Sequence, residues 1–596
     1  MNETETLKPD ILDSILEADD TDTNNTWEWY QEAIKTWLED PGVEEHEGLN
    51  ITALKMDQAY TVGLADQQVA VYSVSDDCFR CPFELQKTLS ADTEESWVVS
   101  TARRATWRVY TGIDDDYINS RNTTGMLCQL RPELGQFGVY HLNITGESCE
   151  VTTTREPVDI YSPLLLLLGV LGAAWVLYGV GRLIMSRVRR TGKLRYGDKE
   201  LAIQQRLRAL DTFRGLAIVM MIFVNDGAGG YWWLEHATWN GLCAGDLVFP
   251  AFLWIMGVCV PLSVKSAFAK GVPRWKICAH ILRRSVIMFL LGMSLNTIYG
   301  SNMLHELRIF GVLQRLAVAY LVSAGFYALT APKYYTPPRG ACGQALKDVL
   351  SCVWCWVLAA GLITVHTVIT FAVHDPHCPA GYLGPGGKHD DWVASNCSGG
   401  AAGYIDRLLL GDSHLFQRSD ARRIYGGLAT DPEGLLGCLT SSVQALLGVQ
   451  AGATVLLQRS HKSRVSRWLA WALVFALVGA LLAGFSREHG SIPINKNLWS
   501  MSFVLVTSAC SLVLLSICYV FTDAWRLWGG GPFRAPGLNA IALYIGHSLC
   551  SHLFPFHWKV PHMRTHSIHL AEAVWGTALW VIIAHVMAKK KVFITL

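Results

Sequence analysis

At 596 residues the chain exceeds one ordinary domain, and its 51% hydrophobic against 17% charged content sits below the roughly 25% charged usual for soluble proteins. Its charges cancel to a net of zero, which excludes a general basic attraction to nucleic acid but permits strong local asymmetry. Composition divides the chain: an acidic, polar N-terminal part to about Pro157, then apolar segments separated by short basic loops.

In chain order, Met1 to Asp40 is acidic and has no apolar core, so no cleavable signal peptide is legible. Either the chain as given lacks its leader or the first span inserts the domain. Alternating runs at Gln68–Val74, Ser96–Tyr110 and Gly138–Ile144, bounded by turn residues, predict a small β-sandwich. Cys78, Cys81, Cys128 and Cys149 lie here, and Cys378 and Cys397 in a later loop; an even set suits disulfides in an oxidising lumen, with the pairing open. The Cys78–Cys81 spacing also fits half a zinc site or a redox pair, but no second metal half is near, so a structural bridge is preferred and no metal is expected.

A spanning helix needs roughly 20 mostly apolar residues to cross about 30 Å of hydrocarbon. About eleven segments meet that measure: 162–181, 211–229, 246–267, 277–298, 308–331, 350–373, 434–457, 467–485, 499–521, 537–554 and 570–588. The second and tenth are short and Gly-rich. The fold class expected is therefore a polytopic α-helical membrane protein with an N-terminal lumenal β-rich domain over 1–160, a first transmembrane helix and basic linker over 161–210, and a transmembrane domain over 211–596 with a long loop at 374–433.

Lysines and arginines collect in Arg182–Arg208, around Lys270 to Lys276, at Lys333 to Lys347, at Arg459 to Arg467 and at Lys589 to Lys591, which predicts cytosolic loops and a cytosolic C-terminus. The sequons at Asn50, Asn122, Asn143 and Asn396 fall on the other side, where N-glycosylation requires a secretory lumen.

Ionisable residues at membrane depth cost about 2.5–3.5 kcal/mol each on insertion scales, so they point to function or to ion pairs. Asn225 and Asp226 end the second span, His236 follows in an aromatic-rich connection, and Asp246 opens the third span. An imidazole beside an amide and a carboxylate can act as a general base or carry an acyl group. The plainer reading is a loop histidine at an interface. Arg214, His280, Arg283, Arg284, Arg308 and Arg315 form a second group, assigned to the cytosolic half, where guanidiniums suit a polyphosphate. Snorkelling competes with that reading for Arg214 and Arg283. Gly381 to Lys388 mimics a phosphate cradle, but His389 replaces the required Ser/Thr, so it reads as a turn-rich loop. The Met and Trp residues at helical spacing read as packing.

Several runs carry a resemblance: Asp211–Gly215, Val224–Asn225, Trp239–Gly241, Asp246–Pro250, Gly311–Arg315, Cys378–Gly387, Gly400–Arg407, Asp431–Gly434, Leu447–Gly452 and Asn495–Ser500. Together they resemble the heparan-α-glucosaminide N-acetyltransferase family over roughly residues 200 to 596; the N-terminal part is similar only in layout. The resemblance implies a lysosomal membrane enzyme that takes acetyl from cytosolic acetyl-CoA to the terminal glucosamine of heparan sulfate and works as a homodimer. It implies that His236 and Asn225 are catalytic, with Asp246 in support. Arg214, Arg283, Arg284 and Arg315 are then expected to bind CoA, and Lys496 and Arg487 the anionic acceptor. Asp226 and Glu235 add negative charge beyond the family pattern. Two rivals stand beside this: another membrane acyltransferase with a lipid or cell-wall acceptor, and a secondary transporter, against which the absence of an internal repeat weighs.

Overall fold

The computed structural model describes residues 44–113, 115–191, 207–301, 303–333, 340–551 and 565–594. The acidic start, most of the basic run after the first span, and the end of the tenth span lie outside the described residues. The chain divides into two units: 1–54 with 558–563, and the remainder. The described part of the first unit is a hairpin of β1 (Glu45–His46) and β2 (Leu49–Asn50), followed by a turn in which Asn50 Oδ1 accepts from the Ala53 N–H at 3.2 Å.

In the second unit the alternating runs become two sheets. β3 (Gln58–Ala65), β6 (Glu95–Ser100), β10 (Val139–Thr145) and β11 (Ser148–Arg155) form one, in the order β11-β10-β3-β6. β4 (Val69–Ser75), β5 (Phe83–Leu89), β7 (Ala105–Tyr110), β8 (Tyr117–Ile118) and β9 (Met126–Leu130) form the other, in the order β8-β5-β4-β7-β9. The β10–β3 pair is parallel and the rest are antiparallel. Inward residues of both sheets share one core, including Ala59, Val71, Trp107, Val109 and Leu142, so this is a β-sandwich. The Cys128–Cys149 disulfide ties β9 of one sheet to β11 of the other. Cys78–Cys81 closes the turn after β4, and Cys378–Cys397 closes the later loop. Each sequon asparagine is exposed.

The helices are α1 (Ser162–Thr191), α2 (Arg208–Asn225), α3 (Val248–Ala269), α4 (Arg274–Tyr299), α5 (Val312–Thr330), α6 (Val353–Ala372), α7 (Gly400–Leu410), α8 (Gly437–Leu457), α9 (His461–Leu482), α10 (Met501–Tyr519), α11 (Ala540–Leu549) and α12 (His566–Lys589), with short helical turns between them. Among the described residues, nine are long and apolar enough to cross a membrane. The expectation of eleven is thus not met on that measure, and the two exceptions are the short, Gly-rich segments. α2 carries Arg208, Asp211 and Arg214 in its first turns, and α11 is only 10 residues long.

α8 sits at the centre, buried along nearly its whole length. Its small residues let backbones approach: a methyl group at Gly448 would collide with the Trp254 carbonyl, and one at Gly452 with the Val258 carbonyl, both of α3. Its polar residues bond to neighbours, because hydrocarbon offers them no partner. Gln444 Nε2 donates to Thr507 Oγ1 at 3.0 Å, and Gln450 Oε1 accepts from Trp356 Nε1 at 3.0 Å. Gly448→Leu should therefore wedge α3 from α8 and destabilise the helical domain by about 1–3 kcal/mol or more. Melting of the purified protein in detergent measures this, and an unchanged melting temperature would contradict the close crossing.

Candidate functional site

α2 ends at Asn225 because the next residues abandon helical geometry: Gly227, Gly229 and Gly230 have φ of 89°, 74° and 75°, readily reached by glycine. The chain then loops back through Tyr231–Ala244 to the start of α3. The Ala244 N–H donates to Trp233 O at 3.0 Å and the Gly245 N–H to Glu235 O at 3.2 Å, which sets His236 beside Asp246. Gly245 leaves the room this needs, since a Cβ there would press on the Glu235 carbonyl and on His236 Nδ1.

His236 Nδ1 lies 2.9 Å from Asp246 Oδ1. The Asp246 side chain is wholly buried, while that of His236 is 39% exposed. Asp246 Oδ2 accepts from the Ala237 N–H at 3.1 Å and the Cys243 N–H at 2.9 Å, and Lys496 Nζ stands 3.6 Å from Oδ1. Every one of these neighbours is a donor or a cation, so the group is an acceptor-only carboxylate. Nδ1 of His236 then carries a proton toward this carboxylate, and Nε2 is the ring nitrogen left free of it. Burial pushes the neighbouring Cys243 thiol up to about 11, with the Asp246 charge adding to it, so Cys243 is held as a thiol.

A second segment, 484–500, straps this loop. Asn240 and Asn495 pair as a backbone bridge and through Asn495 Nδ2 to Asn240 Oδ1 at 3.0 Å; Asn240 Nδ2 donates to Glu488 Oε2 at 2.6 Å. Arg487 Nε donates to Asn240 O at 3.0 Å and faces Glu488 at 3.3 Å. Trp239 Nε1 donates to Leu383 O at 2.9 Å, which ties the Gly-rich run 381–388 to the site as a structural loop. The sandwich docks on the same region: Tyr425 Oη accepts from the Phe79 N–H at 3.1 Å and donates to Asp77 O at 2.9 Å, and Cys81 packs with Trp239 and Leu498.

Lys496 also acts on a second, buried ionic cluster. Arg308 binds Asp431 through Nε at 2.9 Å and Nη2 at 2.6 Å, and Glu433 through Nη2 at 2.6 Å. Burial works against the Glu433 carboxylate, but Arg308, Arg315 and Lys496 together hold its carboxyl below the usual range. Arg315 is 1% exposed; Nη2 donates to Gly434 O at 2.9 Å and the guanidinium lies 4.9 Å from the Trp499 ring centroid. Trp499 in turn packs edge-on against Phe249 of α3 at 5.0 Å, one turn from Asp246.

The placement separates the expected CoA arginines. Arg308 and Arg315 were grouped with Arg214, Arg283 and Arg284, yet they sit at the end of the helical domain that carries His236 and the sequon loop. The reason is connectivity: α5 starts beside the end of α4, as the bond from Asn296 Nδ2 to Arg308 O at 2.9 Å shows. Arg214 pairs with Asp211 at the opposite end of α2. Arg283 and His280 are exposed on α4, and Arg284 lies 4.8 Å from the Tyr320 ring. Asn225 is exposed at the helix end, and no hydrogen bond joins it to His236 among the described residues. Asp226 instead faces His547 at 3.8 Å. Lys496, read as a contact for an anionic ligand, also serves as the counter-ion of Asp246. The Asp431, Glu433 and Asn495 contacts were missed as site features, although carboxylates and amides crowded just before spans were a visible signal. An apolar cavity of about 40 Å³ between His366, Thr370, Leu436 and Leu498 does not reach His236.

Comparison with known proteins follows the same lines. The family described as heparan-alpha-glucosaminide N-acetyltransferase, catalytic, matches residues 206–347. The mouse (Mus musculus) protein named heparan-alpha-glucosaminide N-acetyltransferase is 36% identical over 595 residues, covering 91% of this chain and 89% of its own length. The human (Homo sapiens) protein of the same name is 34% identical over 589 residues, covering 91% and 88%.

Asp406 of α7 offers a test of the buried charge near the site. Burial raises its carboxyl to about 7, although the Leu435 N–H donates to it at 2.9 Å and Arg315 opposes the shift. The folded chain then holds a proton that the unfolded chain, with a carboxyl near 4, gives up. Stability should fall as pH rises from about 4 to about 7 and then level off. Asp406→Asn should remove that part of the fall and melt several degrees higher than the parent at pH 8, with little difference at pH 4. Equal melting curves at both pH values would contradict this.

Proposed function

The chain belongs to the heparan-alpha-glucosaminide N-acetyltransferase family, and from that premise we propose that it transfers acetyl from acetyl-CoA on the cytosolic side of the lysosomal membrane to the terminal non-reducing glucosamine of heparan sulfate in the lumen. The observation that carries the reading is the His236–Asp246 pair, in which Nδ1 lies 2.9 Å from the buried carboxylate and leaves Nε2 as the nitrogen not bound to it. On this reading residues 1–160 and loop 374–433 are lumenal and glycosylated at Asn50, Asn122, Asn143 and Asn396, the basic loops and C-terminus are cytosolic, and the enzyme works as a homodimer.

The chemistry follows from the groups present. In an acidic lumen the acceptor is an ammonium and must lose a proton before it can attack. Nε2 of His236 takes that proton, and Asp246, one bond behind, stabilises the imidazolium that forms. The freed amine adds to the thioester carbonyl; the C–N bond forms while the carbonyl π pair moves to oxygen. Collapse of that oxyanion breaks the C–S bond; the departing thiolate recovers a proton from the imidazolium, and the regenerated Nε2 takes the second proton from the acylated nitrogen and passes it to the lumen, leaving amide, free CoA and one released proton. Asn225, from the helix end before the loop, is assigned to donate to the oxyanion. Lys496 and Arg487 would orient the anionic acceptor, and Arg214, Arg283 and Arg284 the CoA phosphates from the far ends of α2 and α4. Arg315, buried against Gly434 and Trp499, is not assigned to the donor on this reading.

Sealed vesicles with labelled acetyl-CoA outside and glucosamine inside test the reading. His236→Ala should lower trapped label by about 10²–10⁴-fold. Asp246→Asn should do comparable harm, because an amide that donates to Nδ1 would force the proton onto Nε2 and remove the base. Transfer by either variant at the parental rate, in protein with a parental melting temperature, would take the pair out of the mechanism.

A further inference from the structure

A second histidine reaches the loop of His236 from its other flank. His566 opens α12 and its side chain is 4% exposed. Nδ1 lies 2.8 Å from Gly229 O, and Nε2 lies 2.9 Å from Asp57 Oδ1. A carbonyl oxygen can only accept, and so can a carboxylate. A neutral imidazole has a single N–H and would set a lone pair against one of these oxygens. The imidazolium satisfies both. The remaining alternative, a neutral ring beside a protonated Asp57, places the proton on the more acidic of the two groups, with reference values of about 3.9 against about 6.5.

Burial works against a charged ring here, and the two acceptors and the neighbouring groups oppose that effect. Tyr231 stacks on the ring with centroids 4.8 Å apart and planes 26° from parallel. Tyr231 is anchored by its hydroxyl, which donates to Ile160 O at 2.7 Å. Glu235 adds negative charge from the same loop, and Asp159 and Tyr161 face Tyr231 from the chain entering α1. From α2 the nearest carboxylate, Asp226, meets α12 further along, at Gly576.

We propose that His566, as an imidazolium, is a positioning residue for the acetyl transfer: it bridges Asp57 of the sandwich to the carbonyl of Gly229 and so holds the loop that presents His236 to Asp246. The path is short and pinned by backbone hydrogen bonds. Gly229 has φ of 74° and Gly230 of 75°, the Leu234 N–H donates to Tyr231 O at 2.9 Å, and the Gly245 N–H donates to Glu235 O. Loss of the proton sets lone pair against oxygen at one contact and slackens this path. The bridge is intact at acidic pH and is lost as pH rises. A general base behaves in the opposite sense, since His236 must be neutral to work, so the two histidines govern opposite limbs of a pH profile. The proposal rests on the role given above to His236.

The test is kcat for acetyl transfer by the full-length enzyme from about pH 4.5 to 8, in the parent, Asp57→Asn and His566→Gln. The parent should lose at least about fivefold on the alkaline limb. In Asp57→Asn the amide can donate to Nε2 of a neutral ring, so activity at pH 5 should stay within about threefold of the parent and the alkaline loss should vanish. His566→Gln should be slower at pH 5 and lack that limb. A limb of unchanged size and midpoint in both variants would overturn the proposal. Melting temperatures at pH 5 and pH 8 supply a readout independent of catalysis: the parent should lose more than Asp57→Asn between them, and equal losses would also overturn it. His236→Ala, run alongside, separates the two readings: if it transfers acetyl normally the base assignment fails, while the melting comparison still reports on the bridge.

Discussion

Asp246 is a carboxylate with no exposed surface, and much of the architecture around it is what makes that tolerable. An isolated buried charge is costly unless it is paired and hydrogen-bonded. Two backbone N–H groups, one imidazole and one ammonium supply the compensation, the first three from the loop just before Asp246 and the ammonium from a distant part of the chain. The Ala237 and Cys243 amides require the 231–244 loop to fold over the start of α3. The ammonium of Lys496 requires the 484–500 strap to lie across that loop. The strap therefore belongs to the site as much as the histidine does, and its Asn495–Asn240 bridge is the contact that sets its register.

The same logic extends outward. Arg308 is shared between Asp431 and Glu433, and Arg315 lies against Trp499, whose own backbone is held at φ of 51°. Positive φ is uncommon for a bulky residue and persists only where surroundings over-determine it. Here they do: Trp499 donates through Nε1 to Gln444 Oε1 at 3.1 Å and packs edge-on between Phe249 and Phe503. The central helix, the strap and the start of α3 are thus locked through one ring. Against this rigid floor the sandwich docks through Tyr425 and the Cys78–Cys81 turn on one side and through Asp57 on the other, so the β-domain touches both flanks of the loop that carries His236.

Long apolar runs, alternating strands and the pair of charged residues flanking the second connection were readable because each is a local pattern with its own period or composition. The two spans that fell short of the expectation show the limit of that method. α2 is helical over Arg208–Asn225 but begins with charged residues that only its packing makes acceptable, since Gly215 and Gly537 allow two backbones to meet there. The end of the helical domain at which Arg315 sits shows a similar limit. Depth in the membrane was judged from position in a segment, whereas the end at which a segment starts depends on how many crossings precede it.

The sequence by itself determined the division into a β-rich domain and a helical membrane domain, the cysteines available for pairing, and the nearness of His236 to Asp246, because residues ten apart on one short loop cannot stray far. It also carried the family, through runs long enough to be distinctive. Only the tertiary structure decided which cysteines join, that Lys496 rather than another cation faces Asp246, that Arg308 is held between two carboxylates 123 and 125 residues away, and that His566 meets Asp57 across 509 residues of chain. The physical reason is common to all of these. Compensation of a buried charge depends on distance and direction to within a few tenths of an ångström, and no local pattern along the chain encodes which distant donor will arrive there.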